Sequence, residues 1–268
     1  MLNKVDKAWI LMKDIEKPIY NNLINKARNI NIDKSIKKIP YAIEKNKLEK
    51  KIMANHQLIH HVKREIEGIR SYLSDHYVFL LTDAEGIALY VTYNEKMAST
   101  LSNLRVMPGA SFNLIHAGLN AISVAKEVRS TVVVSGSEHD LDLFKSCICI
   151  CTPIYMDGDP IGYMNLSVEV GKDISFAIPL LHYIVSAVEE LLMKDNPHHE
   201  ERRVLKLLKL HGLTKREMEI ALQWLKNYSV PRISSSLGIT EGTVRNMLKK
   251  IYLKTNVRNK GEFIRRFM

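Results

Sequence analysis

A segment near the C-terminus combines a helix-capping residue with closely spaced basic side chains. Thr240 precedes Arg245 and Lys249, and Gly238 stands just before this segment. A threonine hydroxyl accepts a hydrogen bond from an N–H group of the first helical turn, so a capped helix is predicted to follow Thr240. Glycine allows the tight bend that joins it to a preceding helix. A helix, a short turn and a second, basic helix are the parts of a helix-turn-helix, which offers hydrogen bonds and positive charge to a polyanion.

Three cysteines alternate along one predicted strand, at positions 147, 149 and 151. Alternate residues share one face of a strand, so Cys147, Cys149 and Cys151 are neighbours. Because thiolates are nucleophiles and metal ligands, a redox or metal sensor is one interpretation. Side chains about 7 Å apart along a strand do not converge on one ion without other ligands. We favour three buried small residues and expect the purified protein to hold no stoichiometric metal.

Two histidines, His56 and His60, are four residues apart in a predicted helix. This spacing places them on one helix face, where a metal ion could bridge them. A third ligand is not evident, and the sequence between them lacks the glutamate of a His-Glu-x-x-His motif. A helix face exposed to solvent or to an interface is the favoured interpretation.

Polar residues in and beside the predicted strands could line a small-molecule cavity, although capping of loops would explain most of them equally well. No nucleophile, base and oxyanion donors occur at a recognisable spacing, so the protein is not expected to be an enzyme. No cofactor is evident, and the identity of a small-molecule effector is not encoded in any motif. The candidate ligand-binding residues are Asn120, Ser135, Glu138, Cys149 and Tyr163, together with His139.

Charge is distributed unevenly along the 268 residues, which carry a net charge of +10. Residues 200–268 hold 16 Lys and Arg against 6 Asp and Glu, and residues 1–75 hold 16 against 9. Residues 76–199, in contrast, hold 7 against 14. A basic C-terminal module joined to an acidic one is typical of a nucleic-acid binder that carries a second binding function.

The sequence gives no sign of export or of membrane insertion. It has no recognisable signal peptide. Its most apolar stretch, residues 174–193, is interrupted by Pro179, His182, Glu189 and Glu190. Charged and helix-breaking residues of this kind are unfavourable in a membrane span. We therefore expect a cytoplasmic protein with no membrane partner.

The periodicity of apolar residues changes along the chain. It is helical over residues 1–75, whereas residues 77–92 predict a hairpin closed by a turn at Asp83–Gly86. Further strands are predicted at 131–134, 147–155 and 161–168, with helices at 95–103, at 120–128 and from Pro179. Strands joined by short turns indicate an α+β domain, with helices flanking an antiparallel sheet, ahead of an all-α C-terminal domain.

The C-terminal segment resembles the LuxR-type helix-turn-helix family over the whole small domain. Ser229 is expected to cap the first helix of the motif, with Pro231 in its opening turn. Five apolar residues would hold the two helices together: Ile233, Leu237, Val244, Leu248 and Ile251. The matching residues are Leu213-Thr214, Arg216-Glu217, Ile233, Leu237, Ile239, Glu241, Thr243-Val244, Ile251, Lys254 and Val257.

This resemblance implies that double-stranded DNA is the partner. Arg245, Asn246 and Lys249 match the base-reading face of the second helix, and arginine and asparagine can bridge guanine and adenine respectively. The start of the helix at Thr240 would face the DNA backbone. Contacts to phosphates, which set register rather than sequence, would come from Arg232, Thr243 and Lys250. A helical protein-interaction domain is the alternative.

The acidic middle of the chain resembles a GAF-type sensor, and more narrowly the sensor region of acetoin-catabolism activators among the sigma-54-dependent regulators. The chain lacks the Gly-x-x-x-x-Gly-Lys-Ser/Thr motif of an ATPase. The sensor is therefore expected to act directly through the C-terminal domain. The residues that carry this resemblance are Leu81-Thr-Asp-Ala-Glu-Gly86, Gly118-Leu-Asn-Ala-Ile122, Gly136-Ser-Glu-His139, Cys149 to Ile154 and Ile161-Gly162.

The sequence thus predicts a one-component transcription regulator that senses a small molecule or a protein signal. A homodimer is expected, because one such domain reads only a few base pairs, and RNA polymerase is a further candidate partner. The alternative is a ligand- or redox-controlled interaction module whose basic C-terminal domain docks an acidic partner. The predicted organisation is a helical region at 1–75 that belongs to the sensor and dimer unit, a GAF-like sensor at 76–194, a linker at 195–210 and a LuxR-type domain at 211–268.

Overall fold

The computed structural model describes residues 8–73, 77–196 and 199–268, and the chain divides into two compact units, residues 1–195 and 196–268. The expected boundary between residues 75 and 76 lies outside the described residues, as do Pro197 and His198 of the predicted linker. In the described parts of the chain, no helix combines the length and the apolar character that crossing a membrane requires.

The first unit is built on a mixed sheet of six strands in the order β1-β4-β5-β6-β2-β3. β1 pairs with β4 in parallel, and all other pairs are antiparallel. The prediction of an α+β unit with helices flanking the sheet is confirmed. The strands are β1 (Trp9–Leu11), β2 (Tyr77–Asp83), β3 (Ala88–Tyr93), β4 (Thr131–Ser135), β5 (Cys147–Met156) and β6 (Asp159–Glu169).

Helices cover both faces of this sheet. α3 and α7 pack on one face, whereas α1, α4 and α6 pack on the other. α7 begins two residues before Pro179, close to the predicted start. The helices of the first unit are α1 (Lys17–Arg28), α2 (Lys45–Ala54), α3 (His56–Arg70), α4 (Ala98–Leu104), α5 (Leu114–Ala117), α6 (Ala121–Val128) and α7 (Ala177–Asp195).

Alternation along the strands divides the core of this unit into two clusters. In β2, Val78 and Leu80 face α6, whereas Phe79 faces α3 and α7. In β5, Cys149 lies in the first cluster and Ile150 in the second. Successive side chains of a strand point to opposite faces, so a strand buried on both sides is apolar at every position. This explains why the strands appear in the sequence as continuous apolar runs.

The N-terminal segment corrects one expectation. Residues 9–11 were expected to continue the helical pattern, but they form β1, which pairs Trp9 with Thr131 and Leu11 with Val133. Three residues are too few for a period to separate a strand from a helix. Pairing with a strand 120 residues away decides the conformation, so tertiary structure overrides the local pattern.

The second unit is a bundle of five helices around one apolar core. Its first helix corrects the predicted linker at 195–210, because residues 199–210 are helical, with Val204 and Leu208 buried in that core. The apolar spacing of Val204 and Leu208 fits one helix face. The helices are α8 (His199–Leu210), α9 (Lys215–Leu225), α10 (Val230–Leu237), α11 (Glu241–Thr255) and α12 (Lys260–Phe267).

Candidate functional site

The turn between α10 and α11 is determined by a few neighbouring residues. Gly238 ends α10 with a φ of 61°, in the left-handed region that glycine adopts without steric cost. Thr240 then caps α11, because its Oγ1 atom accepts a hydrogen bond from the Thr243 N–H at 3.1 Å. Pro231 lies in the first turn of α10, as predicted. Ser229 occupies the N-cap position, but its side chain makes no capping hydrogen bond, so that part of the prediction is wrong.

Apolar side chains between the two helices hold α11 in place. Ile233 of α10 and Val244, Leu248 and Ile251 of α11 are buried in the core of the second unit. Leu237, the fifth residue of the predicted set, is partly buried against the same core. This packing fixes which face of α11 points to solvent.

The opposite face of α11 is basic and exposed. Arg245, Asn246, Lys249 and Lys250 are all exposed side chains of this helix. The Arg245 guanidinium contacts the Glu241 carboxylate at 3.2 Å. An ion pair between exposed groups is weak, so a phosphate or a base edge can replace Glu241 as the partner of Arg245. Neither Lys249 nor Lys250 has an ion-pair partner among the described residues.

The other predicted contact residues surround the start of α11. Thr240 and Thr243 share a hydrogen bond between their hydroxyl groups, 2.9 Å apart. The guanidinium of Arg232 lies 3.8 Å from the ring centroid of Tyr228. Stacking uses the face of a guanidinium and leaves the N–H groups at its edge available for a phosphate. α10, α11 and the turn between them therefore present all seven predicted contact residues, six of them exposed and Thr243 half-buried.

An apolar cavity of about 100 Å³ lies within the first unit, between the sheet and the segments that cover it. By volume it could hold several water molecules. A shallower depression shares Met97, Thr100 and Cys147 with the cavity, so one end of the cavity lies near the surface there. The lining includes Val78, Leu80, Leu101, Phe112, Ile122, Phe144 and a few polar residues, among them Asn120, His139, Cys149, Asn165 and Ser167.

The structure separates the predicted ligand-binding residues into two groups. Asn120 and Cys149 line the cavity, whereas Ser135, Glu138 and Tyr163 do not. The Ser135 N–H donates to the Glu138 carboxylate at 2.8 Å, so these two residues close a turn after β4. Tyr163 is packed in the core of the sheet and only 1% exposed. These three residues do not line this cavity, and their polar groups serve local structure or lie in the packed sheet.

Asn120 lines the cavity but has its hydrogen-bonding capacity filled by the backbone. Its amide nitrogen donates to the carbonyl oxygens of Phe112 and Gly118, at 3.0 and 2.9 Å. Its amide oxygen accepts from the N–H groups of Ile122 and Ser123. An asparagine side chain has two donor hydrogens and one acceptor oxygen, so this residue caps α6 and closes the loop before it.

His139 is a polar residue of the lining whose hydrogen bonding is incomplete in the described part of the chain. It is 2% exposed, and its Nδ1 atom lies 3.1 Å from the Gly136 carbonyl oxygen. Its Nε2 atom is buried and has no partner among the described residues. Burial lowers the pKa of His139, although the hydrogen bond to Gly136 acts in the opposite direction.

Asn165 and Ser167 are lining residues that sequence reasoning missed. They alternate along β6, and the Asn165 amide nitrogen donates to the Ser167 hydroxyl at 2.9 Å. The Cys149 thiol lies 3.2 Å from the same hydroxyl. The sequence did contain a signal for them. Two polar residues stand two positions apart in an otherwise apolar strand, and a strand places such residues on the same face.

Cys149 and Cys151 are buried and Cys147 is half-buried, so all three thiols are shielded from solvent to some degree. Cys149 and Cys151 share the cluster that faces α6, and Cys147 packs against it, so the predicted common face is confirmed. Burial raises the pKa of Cys149 to about 12 and raises that of the other two. A thiol, unlike a thiolate, is a poor nucleophile and metal ligand.

The histidines of α3 do not form a joint site. His56 and His60 are exposed, and the His56 Nδ1 atom lies 3.1 Å from the Met53 carbonyl oxygen. His61 is buried, with its Nε2 atom 2.8 Å from a carboxylate oxygen of Asp195. Within residues 8–73, 77–196 and 199–268, no group of three or more His, Cys, Asp or Glu side chains could hold a metal ion.

Comparison of the chain with solved structures finds a protein of similar fold. The crystal structure of the Escherichia coli DhaR(N)-DhaL complex matches with a TM-score of 0.63 and 17% identity, over 72% of this chain and 66% of that chain. The chain thus spans just under two thirds of the length of the matched one. At this identity the likeness shows a common fold.

Other solved structures match less well. Escherichia coli SdiA matches with a TM-score of 0.28 and 15% identity, covering 82% of this chain and 95% of that one. An IclR homologue from Microbacterium sp. strain HM58-2 matches with a TM-score of 0.35 and 8% identity, covering 65% and 97%. No curated protein sequence matches the chain.

The family of bacterial regulatory proteins named luxR matches residues 211–267. This range contains α9 to α12, with the capped turn and the exposed basic face of α11 described above. Family members are DNA-binding transcription regulators. Residues 211–267 therefore form a LuxR-type helix-turn-helix domain, which supports a role in DNA-binding transcription regulation.

Proposed function

We propose that the protein is a one-component transcription regulator, in which α11 reads duplex DNA and the first unit receives the signal. The observation that carries this proposal is the division of α11 into two faces. Val244 and Leu248 are buried, whereas Arg245, Asn246 and Lys249 are exposed at helical spacing. A helix held by its apolar face and basic on the other side can enter the major groove of DNA.

The contact residues divide by the chemistry that they offer. Arg245, Asn246 and Lys249 are the proposed readers of base edges, since bidentate pairing of arginine with guanine and of asparagine with adenine discriminates between bases. Arg232, Thr240, Thr243 and Lys250 are the proposed contacts to phosphates, which set orientation and supply the salt-dependent part of the affinity.

The test replaces two base-reading residues together, as Arg245→Ala plus Lys249→Ala in the full chain. The probe is a duplex selected from a random pool by the wild-type protein. We expect the affinity to fall on the order of 100-fold, with little change in its salt dependence, because neither residue is a proposed phosphate contact. The control, Lys209→Ala plus Arg265→Ala, removes the same charge from exposed positions of α8 and α12. Equal affinities of the two double variants at physiological salt would contradict the proposal.

A homodimer on a two-part site is the proposed binding form, because a single domain of this type contacts few base pairs. α7 and the N-terminal helices are the candidate dimer contacts, and Tyr183 of α7 is exposed. Sedimentation of the full chain with and without the selected duplex measures the stoichiometry. RNA polymerase is a further proposed partner, and the site of action is the cytoplasm, where the chromosome lies.

The cavity of the first unit supports a small molecule as the signal. A mostly apolar cavity with a few polar groups is the usual form of a ligand site. A protein signal is the second candidate, since the fold resembles that of DhaR(N), which is described in complex with DhaL. In either case the signal must bind one state of the protein better than the other.

A ligand-controlled interaction module that docks an acidic protein is the alternative function. Retention of a protein partner by the C-terminal domain, without a shift of any duplex, would favour it. The redox form of this alternative has less support, because burial raises the pKa of all three cysteine thiols. The proposed role is regulatory, and no reaction is assigned.

A further inference from the structure

The charge of the cavity wall limits what the cavity can bind. None of the described residues that line it is Asp, Glu, Lys or Arg. Moving an ion from water into such a site is costly unless an opposite charge or several hydrogen bonds compensate it. A neutral molecule with a largely apolar body is therefore the class of ligand that fits. The volume of about 100 Å³ suits a body close to benzene in size.

The hydrogen bond of His139 determines which of its ring nitrogens carries the proton. A carbonyl oxygen only accepts, so the contact between Nδ1 and the Gly136 oxygen requires a proton on Nδ1. Burial lowers the pKa of the imidazole and favours its neutral form. In the neutral ring with Nδ1 protonated, Nε2 carries a lone pair and acts as an acceptor.

Nε2 is the ring nitrogen that the contact with Gly136 leaves unused. His139 lines the cavity, whereas Gly136 is not part of the lining. The Nδ1 atom is committed to Gly136, which leaves Nε2 as the ring nitrogen of this lining residue that a ligand can use. Nε2 is buried without a partner among the described residues, and a buried acceptor without a donor is energetically unfavourable.

We propose that the cavity binds a small neutral molecule that donates a hydrogen bond, from a hydroxyl or N–H group, to Nε2 of His139. The inference rests on the proposed role of the first unit as the input, and it adds the chemical class of the ligand. Asn120 contributes shape but not recognition, because its hydrogen-bonding groups are already occupied.

The test compares two probes with the same skeleton, cyclohexanol and cyclohexanone, by calorimetric titration of the full chain without DNA. The alcohol donates a hydrogen bond and the ketone only accepts one, so we expect the alcohol to bind about tenfold more tightly. Cyclohexylammonium and cyclohexanecarboxylate are expected to bind at least about tenfold more weakly than the alcohol. Equal affinities of alcohol and ketone, or no binding of either, would overturn the inference.

A variant identifies the acceptor. His139→Phe keeps a ring in the cavity wall and is expected to bring the alcohol-to-ketone ratio close to one, whereas the matched control His116→Phe should retain the wild-type ratio. His116 is half-buried in the same unit but does not line the cavity. An unchanged ratio in folded His139→Phe would contradict the assignment.

A measurement on the wild-type chain keeps the proposal testable if His139→Phe does not fold. A long-range ¹H–¹⁵N correlation spectrum of the His139 ring is expected to show the proton on Nδ1, with a change at Nε2 when cyclohexanol is added. A proton on Nε2 would overturn the inference. These results do not depend on DNA binding by Arg245 and Lys249, so failure here leaves the proposed DNA-binding role standing.

Discussion

Lys254 of α11 and Glu217 of α9 form an ion pair in the LuxR-type domain, with 2.7 Å between Nζ and Oε2. Glu217 is 5% exposed and also accepts a hydrogen bond from the Thr214 N–H at 2.7 Å. Lys254 reaches the Gly212 carbonyl oxygen as well. The positive charge of Lys254 is thus paired within the domain at a partly exposed position, whereas Lys249 and Lys250 on the same helix face solvent.

Replacing Lys254 by methionine removes the partner of a buried carboxylate. We expect Lys254→Met to reduce the free energy of unfolding of the domain by about 2 kcal/mol, because an uncompensated buried charge is unfavourable. Lys250→Met, at an exposed position of the same helix, should change it by less than about 0.5 kcal/mol. Urea unfolding followed by Trp224 fluorescence measures both.

The same pair predicts a pH dependence. Burial alone would raise the pKa of Glu217, but the hydrogen bonds from Lys254 and Thr214 outweigh it, and the pKa lies below its ordinary value of 4.5. The unfolded chain therefore takes up a proton before the folded domain does, so the stability from this group is present above pH 4.5 and is lost as the pH falls further. The difference between wild type and Lys254→Met should shrink below pH 4.5. A constant difference down to pH 3 would contradict this account.

Ser229 before α10 and Thr240 before α11 differ in how they cap the helix that follows. Thr240 caps α11 through its hydroxyl, whereas the Ser229 side chain makes no capping bond. Thr240→Ala should therefore cost about 1 kcal/mol of unfolding free energy, and Ser229→Ala only a few tenths. Thr240→Ser should restore most of the loss. Equal costs for the two alanine variants would show that the caps are equivalent in solution.

Two glycines of the first unit predict opposite effects of alanine. A Cβ atom at Gly162 of β6 would lie 2.5 Å from the Thr82 carbonyl oxygen, whereas one at Gly68 of α3 would meet no atom within 4 Å. Gly162→Ala should destabilise the unit by at least about 2 kcal/mol, because backbone has to move. Gly68→Ala should stabilise it by about 0.5–1 kcal/mol, since alanine has the higher helix propensity. Thermal unfolding compares them with wild type.

The buried thiols are expected to be unreactive in the folded protein. With a pKa of about 12, Cys149 has roughly one thousandth of the thiolate of an ordinary cysteine at neutral pH. Its reaction with a disulfide reagent should be slower by about that factor, and oxidant should leave DNA binding of wild type and Cys149→Ser equally unaffected. Rapid modification of Cys149 in folded protein, followed by peptide mass spectrometry, would revive the redox interpretation.

Several features were predictable because their physics is local. The cap at Thr240, the bend at Gly238 and the helices on either side depend on residues a few positions apart. The strands were predictable in the same way, since Val78 and Phe79 are apolar on both faces of β2. Residues 199–210 were assigned to a linker because of the polar stretch at 195–199, although Val204 and Leu208 indicate an amphipathic turn.

The sequence by itself determined the LuxR-type domain, its exposed basic residues and the α+β character of the unit before it, because capping and periodicity act over a few residues. The tertiary structure alone decided which buried polar side chains keep a hydrogen-bonding group that is available to a ligand. The Ser135 N–H group is bonded to Glu138, and the Asn120 side chain is bonded to backbone groups, whereas Nε2 of His139 has no partner in the part of the chain that the structure describes. The partners of Asn120 are only two to eight residues away, but burial of these groups from water depends on how the whole unit packs, and that packing is not written in any local pattern.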